Sequence, residues 1–160
     1  MTRKSIVGGC LCGAIRYESS EPPAMSGACH CHMCQKWSGA VAVMTVVFDT
    51  ATFQFTKGKP RVYMASELLE RHFCGDCGSS LMHRYVVPPY GPTAARVGIG
   101  TLDDQSVVEN PRFHFGVESH VPGWLAIREG VLTINADDDP GLASARREIR
   151  RKEAGPEQHD

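Results

Sequence analysis

The sequence lacks three features that would each assign a protein to a broad class. No stretch approaches the roughly 20 apolar residues that a membrane-spanning helix requires. Residues 1–10 contain no apolar run of about 7–15 residues such as a secretory signal peptide has. Basic residues are not in excess, because the formal net charge is −1 at pH 7, whereas nucleic-acid-binding proteins usually carry strong positive charge. These absences predict a soluble, cytoplasmic protein that binds neither membranes nor nucleic acid.

Short β-type segments run along most of the chain, whose 160 residues fit one domain with a buried core. Residues with β-branched or aromatic side chains cluster in short runs, and Gly, Pro, Asp and Asn separate these runs. Strands are predicted near residues 14–18, 41–48, 52–56, 61–65, 80–86, 95–100, 113–117, 124–127 and 131–134. Such spacing is typical of an all-β sandwich or barrel-like sheet. We therefore predict a mainly β domain over residues 1–136.

Residues 137–160 differ in composition from the rest of the chain. Within them, residues 143–154 read "ASARREIRRKEA", which is charged and rich in helix formers. Leu142 and Ile149 are the apolar residues that could anchor such a helix to a core. We predict a short charged C-terminal helix or solvated tail, beginning at residue 137.

All seven cysteines fall in closely spaced groups, which are Cys10 and Cys12, then Cys29, Cys31 and Cys34, then Cys74 and Cys77. An odd number cannot pair completely in disulfides. Isolated buried cysteines would have no reason to occur only in C-x-C and C-x-x-C spacings. Zinc–thiolate bonds of about 2.3 Å in a tetrahedron require sulfurs roughly 3.8 Å apart, which both spacings can supply. The grouping therefore predicts metal ligands.

The first and last pairs together supply the four sulfurs of a closed structural zinc site. We assign Cys10, Cys12, Cys74 and Cys77 to that site. The separation of more than sixty residues is no obstacle, because loop-closure entropy grows only logarithmically with length. Four free thiols are the alternative. Thioredoxin-like redox chemistry at the last pair is disfavoured, because no βαβ pattern surrounds it.

The middle group, in "ACHCHMC", leaves three cysteines for a second zinc ion with one open coordination position. Three protein ligands plus an exchangeable position are expected of a catalytic zinc. His30 and His32 alternate with Cys29 and Cys31, so in an extended segment they point away from the sulfurs. We interpret both as flanking residues rather than ligands. An iron–sulfur cluster is a weaker alternative, because a Rieske-type site needs C-x-H and C-x-x-H pairings.

Three segments, taken together and in this order, resemble the family of glutathione-dependent formaldehyde-activating enzymes, which includes the centromere-protein-V-like proteins. They are "GGCLCGAIRYE" (8–18), "CHCHMCQKWSGA" (29–40) and "FCGDCGSSL" (73–81), and "PRFHFGVESHVPGWL" (111–125) is similar to a later segment of the family. The resemblance covers residues 5–127. It implies an Mss4-like fold of small antiparallel sheets around zinc, with the two zinc sites divided as above.

The resemblance also implies an activity, the joining of formaldehyde to glutathione to give S-hydroxymethylglutathione, and its reversal. We therefore expect a zinc-dependent carbon–sulfur lyase acting on the adduct of a small thiol and an aldehyde. His114 is the best candidate for a general base, although a histidine between two aromatics is often a packed structural residue. Trp37 and Ser38 could line the substrate pocket. The sequence does not indicate an oligomeric state.

Two questions stay open at the level of the sequence. Lys36, Arg84 and Arg96 could meet the carboxylates of glutathione, although solvated positions are the simpler interpretation. A zinc-stabilised protein-binding module without catalysis is the alternative function. In that case a fourth protein ligand, His30 or His32, would close the second zinc site.

Overall fold

The computed structural model describes residues 5–127, 129–135 and 138. These residues form eleven β-strands: β1 (Ile6–Gly9), β2 (Arg16–Ser19), β3 (Met25–Cys29), β4 (Val43–Asp49), β5 (Phe53–Lys57), β6 (Arg61–Ser66), β7 (Leu69–Phe73), β8 (Ser80–Tyr85), β9 (Ala94–Gly98), β10 (Phe113–Phe115) and β11 (Leu132–Ile134). The one α-helix in this part of the chain is α1 (His32–Ser38), and short 3-10 turns lie at Ile99–Thr101, Gln105–Val107 and Val117–Ser119. The prediction of a mainly β protein is confirmed.

The strands form two sheets. The smaller sheet has the order β1-β2-β5, and its pairings are antiparallel. The larger sheet has eight strands in the order β11-β10-β3-β4-β9-β8-β7-β6. Its pairings are antiparallel except at β10, which runs parallel to both β3 and β11. No helix among the described residues is long and apolar enough to cross a membrane.

The main hydrophobic core contains side chains from both sheets. Val46 and Phe48 of β4 and Val97 of β9 are almost fully buried in it, together with Tyr17 of the smaller sheet. The Tyr17 ring lies 5.2 Å from that of Phe53, and its hydroxyl is hydrogen-bonded to a threonine at 2.7 Å. Burial of a large apolar side chain contributes about 1.5–3 kcal/mol, so this face holds the two sheets together.

The opposite face of the larger sheet carries helix α1. Side chains alternate between the two faces of a strand, so Val43 lies on the face opposite Val46. Val43 packs with Cys31 and Cys34, and with the partly buried Trp37, in a second, smaller cluster. The helix is short because it begins after Cys31 and ends at a glycine with positive φ. This arrangement places the middle cysteine group between α1 and the sheet.

One cross-strand row on this face contains three basic side chains. Strand register aligns residues from five neighbouring strands, in the order Met25, Val47, Arg96, His83 and Arg71. Residues directly opposite each other in a sheet have side chains on the same face. We call Arg71, His83 and Arg96 the basic row. It runs from the helix α1 region toward the middle of the sheet.

The strand predicted at residues 124–127 is wrong. That segment forms a turn in which the Trp124 N–H donates to the Val121 carbonyl at 3.2 Å, and Leu125 has a φ of +49°. The other eight predicted strands are present, whereas β1, β3, β7 and the seven-residue helix α1 were not predicted. The predicted C-terminal helix or tail over residues 137–160 lies outside the described residues, apart from Asp138. The domain boundary at residue 136 therefore stays a prediction.

Candidate metal centre and adjoining cavity

The structure brings together the four cysteines of the first and last pairs. Their sulfur atoms all lie within 4.8 Å of one another. Cys10 Sγ is 3.5 Å from Cys12 Sγ, which is 3.8 Å from Cys74 Sγ. Tetrahedral zinc with bonds of about 2.3 Å requires separations of roughly 3.8 Å. The four sulfurs, including Cys77, therefore have the spacing that a zinc ion needs.

Each cysteine pair lies in a tight turn that a glycine closes. The Gly13 N–H donates to the Cys10 carbonyl at 3.1 Å, and the Gly78 N–H donates to the Cys74 carbonyl at 3.0 Å. The φ values of the two glycines are +72° and +74°, which side chains with a Cβ rarely adopt. A Cβ at either glycine would meet nothing within 4 Å. The backbone conformation, and not a lack of space, therefore requires glycine here.

Ser79 connects the two turns and polarises one sulfur. Its hydroxyl accepts a hydrogen bond from the Leu11 N–H at 3.1 Å and lies 3.2 Å from Cys77 Sγ. Hydrogen bonds from the Ser79 hydroxyl and N–H lower the pKa of Cys77 to about 5. On the other turn, the Ile15 N–H donates to Cys10 Sγ at 3.2 Å. These donors favour thiolates, the form in which cysteine binds metal.

The three middle cysteines form a second sulfur cluster, which we call the triplet. Cys29 ends β3, Cys31 is the N-cap of α1, and Cys34 lies in the first turn of the helix. Cys29 Sγ and Cys31 Sγ are 3.3 Å apart, and all three sulfurs lie within 4.8 Å of one another. Among the described residues, no further histidine, cysteine or carboxylate joins this group. Three sulfurs with this spacing can hold a metal ion and leave a position open.

Arg71 places a buried positive charge against the triplet. Its Nη2 donates to Cys34 Sγ at 3.7 Å, and its guanidinium carbon lies 4.5 Å from the centre of the Trp37 ring. The side chain is 2% exposed, and Nη1 has no hydrogen-bond partner within the described part of the chain. Hydrogen bonds from Cys29 and Cys31, aided by the charge of Arg71, hold the pKa of Cys34 well below its usual range. Cys34 is therefore the cysteine of the triplet at which thiolate is favoured.

The two histidines interspersed in the triplet lie outside the sulfur cluster, as the sequence predicted. His30 is buried, and its Nε2 is 2.7 Å from Nδ1 of His114. Burial, followed by the nearby His114, lowers the pKa of His30 to about 4. His32 is exposed at the start of the helix, with Nδ1 3.3 Å from Oε1 of Gln35. Neither position offers the triplet a fourth ligand.

His114 lies on one face of strand β10, and a larger cavity beside Cys29 lies on the other face. Phe113 and Phe115 line that larger cavity, and the alternation of β10 turns His114 to the opposite face. There it lines a smaller cavity of about 230 Å³. His114 contacts His30 on this face, and its role as a general base stays a prediction.

Trp37 and Ser38 contact protein groups around the triplet. The Trp37 ring packs on Arg71 and lies 6.0 Å from the His83 ring in an edge-on arrangement. The Ser38 hydroxyl donates to the Cys34 carbonyl at 2.9 Å, which helps to end the helix. Neither is among the side chains that line the larger cavity. Their predicted contact with substrate stays a prediction.

A cavity of about 450 Å³ adjoins the triplet at Cys29. Its volume lies within the usual range for small-molecule sites. Apolar side chains form most of its wall, among them Met25, Val47, Phe113, Phe115, Leu132 and Ile134. Its polar lining includes His83, Tyr85 and Arg96. Because Cys31 and Cys34 are buried whereas Cys29 is partly exposed, Cys29 is the point at which the triplet meets the cavity.

His83 and Tyr85 are functional candidates that the sequence interpretation missed. Burial, followed by the charges of Arg71 and Arg96, lowers the pKa of His83 to about 3, so the ring is neutral near pH 7. Its Nδ1 is buried with no partner among the residues described. Burial raises the pKa of Tyr85, so its hydroxyl stays a donor. The signal in the sequence was "HRY" within an otherwise apolar strand, where alternation places these two side chains together.

Two of the arginines considered in the sequence analysis have different surroundings. Arg84 is bonded to Glu70 through Nε at 2.7 Å and lies away from the cavity. Arg96 lines the cavity, with its guanidinium carbon 4.8 Å from the centre of the Tyr85 ring. Arg96 therefore keeps a possible role in binding substrate, and Arg84 has a structural partner.

Comparison with known proteins gives three kinds of similarity, to a family profile, to two individual proteins and to a solved structure. The family profile described as glutathione-dependent formaldehyde-activating enzyme matches residues 5–119. A Halomonas elongata protein, provisionally described as such an enzyme, is 27% identical over 128 residues, which are 75% of this chain and 79% of the relative. A Schizosaccharomyces pombe protein described as an uncharacterized lyase is 33% identical over 81 residues, 49% of this chain and 56% of its own length.

The third similarity is to a solved structure. The crystal structure of a Rhodobacter sphaeroides protein matches with a TM-score of 0.51 and 23% identity. The match covers 66% of this chain and 92% of that protein. At this level of identity the likeness concerns the fold.

Proposed function

Because this chain belongs to the family of glutathione-dependent formaldehyde-activating enzymes, we propose that it makes and breaks the carbon–sulfur bond between a small thiol and an aldehyde. In the forward direction the thiol sulfur attacks the carbonyl carbon, and the carbonyl π electrons move to oxygen. That oxygen takes up the proton that the thiol loses. The reverse reaction returns the proton to sulfur, and neither direction involves oxidation. The family name suggests glutathione and formaldehyde as the reactants.

One observation carries this proposal: a buried cluster of three thiols reaches a small-molecule cavity through Cys29. A purely structural metal site has no need of a cavity beside an incomplete ligand set. Within the described part of the chain, the triplet has three ligand atoms where a closed zinc site has four. The arrangement is the one expected when substrate occupies the remaining position.

Both sulfur clusters fit zinc, which soft thiolate ligands and tetrahedral spacing favour. Cys10, Cys12, Cys74 and Cys77 would hold a structural ion. The triplet would hold a second ion, which would supply Lewis acidity and stabilise thiolate at neutral pH. Three thiolates around a divalent ion carry one net negative charge, which the guanidinium of Arg71 offsets.

The cavity side chains offer matched hydrogen-bonding roles for the proposed reaction. Tyr85 keeps its proton and can donate from its hydroxyl to an oxygen of the bound substrate. His83 is neutral, and in the tautomer with its proton on Nε2 the Nδ1 atom, unpartnered among the residues described, can accept from the hydroxyl of the adduct. Trp37 would support Arg71 rather than touch the substrate. His114, the predicted general base, contacts His30 on the opposite face of β10 and is not among the side chains that line this cavity.

A protein-binding module is the second candidate, because strand β6 exposes three consecutive large apolar side chains at one edge of the larger sheet. They are Val62, Tyr63 and Met64, each about half exposed or more. Exposed apolar residues on an edge strand can pair with another chain. This function would leave the cavity beside Cys29 without a use, and it therefore ranks below catalysis.

The test combines metal analysis with a direct measurement of carbon–sulfur exchange. Elemental analysis of protein purified without chelator is expected to give two zinc ions per chain, one of them removed by mild chelation. Exchange NMR with ¹³C-formaldehyde and glutathione measures how fast the adduct forms and breaks. The variant Cys31→Ser should keep the fold, lose one zinc and reduce the enzymatic exchange rate at least about 100-fold.

Two controls make this result interpretable. Cys12→Ser removes a sulfur from the other cluster, and its effect should be on stability first. Circular dichroism of Cys31→Ser checks that the β fold persists. If the wild-type protein holds two zinc ions but accelerates no thiol–aldehyde exchange, the protein-binding module takes precedence. Full activity in Cys31→Ser would also contradict a role for the triplet.

A further inference from the structure

The larger cavity is mostly apolar, and aromatic rings lie close to its reactive end. Phe113 and Phe115 of β10 and Tyr85 of β8 are part of its wall. The Phe113 ring packs on Gly27 of β3. A Cβ at this position would collide with the ring, so the packing requires glycine. The ring therefore lies against the backbone two residues before Cys29. A ligand that reaches Cys29 passes over carbon-rich surface, on which polar groups lose their hydration.

Arg96 is the permanently charged side chain of this apolar wall. Its Nη1 makes long contacts, 3.4 Å to the Tyr90 carbonyl and 3.5 Å to the Ala94 carbonyl. Its guanidinium carbon lies over the Tyr85 ring at 4.8 Å. In the part of the chain that the structure describes, no carboxylate forms an ion pair with Arg96. A partly buried guanidinium with weak contacts binds an anion well, and its planar fork matches a carboxylate.

Cys29 and Arg96 stand at different ends of the cavity. Cys29 pairs with Val43 of β4, whereas Arg96 pairs with Val47 of the same strand from the opposite side. Four residues along a strand and two strand spacings separate their Cα atoms by roughly 16 Å. Arg96 also bonds toward Ala94, the end of β9 that is farther from Cys29. A molecule that contacts both residues is therefore extended.

From this arrangement we infer that the substrate of the site has an apolar body and a single carboxylate, with the carboxylate on Arg96 and the reacting sulfur or aldehyde carbon at Cys29. The inference rests on the proposed function and narrows its substrate class. Glutathione carries two carboxylates, an ammonium group and two amides. The described lining supplies one permanent cation, so a second carboxylate would lose hydration without gaining a cationic partner. An apolar thiol acid or aldehyde acid fits the cavity better.

The experiment compares three thiols in ¹³C-formaldehyde exchange NMR with the zinc-loaded protein. 6-Mercaptohexanoate carries the apolar body and the carboxylate, 6-mercaptohexan-1-ol carries the same body without charge, and glutathione is the polar reference. With wild-type protein we expect kcat/KM to be about 10- to 100-fold higher for the thiol acid than for the thiol alcohol. The kcat/KM for 6-mercaptohexanoate should also exceed the kcat/KM for glutathione.

Variants at Arg96 then locate the carboxylate. Arg96→Met should remove the advantage of the acid over the alcohol, so that the ratio of their kcat/KM values falls toward one. Arg96→Lys keeps the charge and should retain part of the advantage. Arg112→Met is the matched control, since it removes one exposed arginine outside the cavity. Should Arg96→Met fail to fold, inhibition of the wild-type protein by hexanoate but not by hexan-1-ol provides the same test.

The outcomes separate this inference from the function on which it rests. Turnover of glutathione above that of 6-mercaptohexanoate, or an equal loss with acid and alcohol in Arg96→Met, overturns the inference and leaves the proposed function standing. Equal inhibition by hexanoate and hexan-1-ol does the same. Absence of exchange with all three thiols overturns both. A preference for the acid that depends on Arg96 supports both.

Discussion

At the scale of single residues, Arg71 has the strongest connection to the reactivity of the triplet. It is buried between Trp37 and Cys34, and one of its nitrogens faces the sulfur. A buried guanidinium is costly unless a negative charge lies beside it. The Cys34 thiolate supplies that charge, and the arginine in turn favours its ionised form. The pair therefore stabilises itself only when Cys34 is deprotonated, the state in which a thiol binds metal.

Arg71→Met is expected to weaken metal binding at the triplet and leave the four-cysteine cluster intact. Without the positive charge the thiol pKa values rise, and because zinc binding requires thiolates, the affinity at a given pH falls. We expect about a 10- to 100-fold loss of affinity for the second zinc, and a metal-binding profile that moves to higher pH. Competition with a chromophoric chelator from pH 5.5 to 8.5 measures both.

Arg71→Lys separates charge from geometry in the same assay. Lysine restores the charge without the planar fork that contacts both Cys34 and Trp37, so the pH profile should recover more than the zinc affinity does. If the pH dependence of zinc binding is the same for Arg71→Met and the wild-type protein, the arginine only fills space.

At the scale of structural elements, the link between β10 and helix α1 holds the triplet in place. The His30 N–H donates to the carbonyl of Phe115, the last residue of β10, at 2.8 Å. Gly116 follows with a φ of +70° and packs against the backbone of Cys31. The residue that caps the helix therefore rests on a strand more than eighty residues away in sequence. This contact explains why a short helix is well placed without a long hydrophobic stripe.

Gly116→Ala is expected to displace Cys31 and to lose the second zinc. A Cβ at this position would lie 2.8 Å from the Cys31 nitrogen and 2.9 Å from its Cβ, so one of the two backbones must move. Zinc content per chain should fall from two to one while the four-cysteine site stays filled. Elemental analysis and thiol titration with a colorimetric reagent measure the change.

Gly123→Ala is the matched control for backbone strain. Gly123 also has a positive φ, +80°, but a Cβ there would meet no atom within 4 Å. It should cost about 1–2 kcal/mol of stability, as left-handed backbone does for alanine, and keep both zinc ions. If both variants keep two zinc ions, the contact between Gly116 and Cys31 does not position the triplet.

The sequence predicted the elements whose signals are local and missed those that depend on register. The cysteine groups were predictable because C-x-C and C-x-x-C spacings bring sulfurs together within a single turn. The strand at 43–49 was predictable from its β-branched run. The basic row was not, because Arg71, His83 and Arg96 become neighbours only through the pairing of three strands. Helix α1 is too short to show a helical period.

At the scale of the whole molecule, the four-cysteine cluster connects the two sheets. Cys10 and Cys12 lie in the turn between β1 and β2 of the smaller sheet, whereas Cys74 and Cys77 follow β7 of the larger one. Nothing else joins these turns as directly, within the described residues, as the sulfurs and Ser79 do. An ion bound there would restrain the two layers against each other across more than sixty residues of chain.

Cys74→Ser is expected to destabilise the whole fold, because metal binding at a structural site is coupled to folding. We expect the free energy of unfolding to fall by several kcal/mol and the melting temperature by more than about 10 °C. Thermal unfolding followed by circular dichroism provides the measurement. Cys31→Ser is the control, since it removes a sulfur of the same kind from the triplet and should change the melting temperature much less. Equal melting temperatures for Cys74→Ser and wild type would rule out a structural role.

The metal-binding sulfurs and the opposite wall of the cavity come from different parts of the chain, and the parallel strand β10 lies between them. The sulfurs at the reactive end come from residues 29–34, whereas much of the opposite wall of the cavity comes from β10 and β11 at residues 113–134. β11 lies at the free margin of the larger sheet, where replacements disturb few neighbours. Selection can therefore change which substrates the enzyme accepts through the side chains of β11, without replacing the residues that position the sulfurs. A chimera that exchanges only Leu132–Ile134 with a relative is expected to change substrate preference and leave the reaction itself in place.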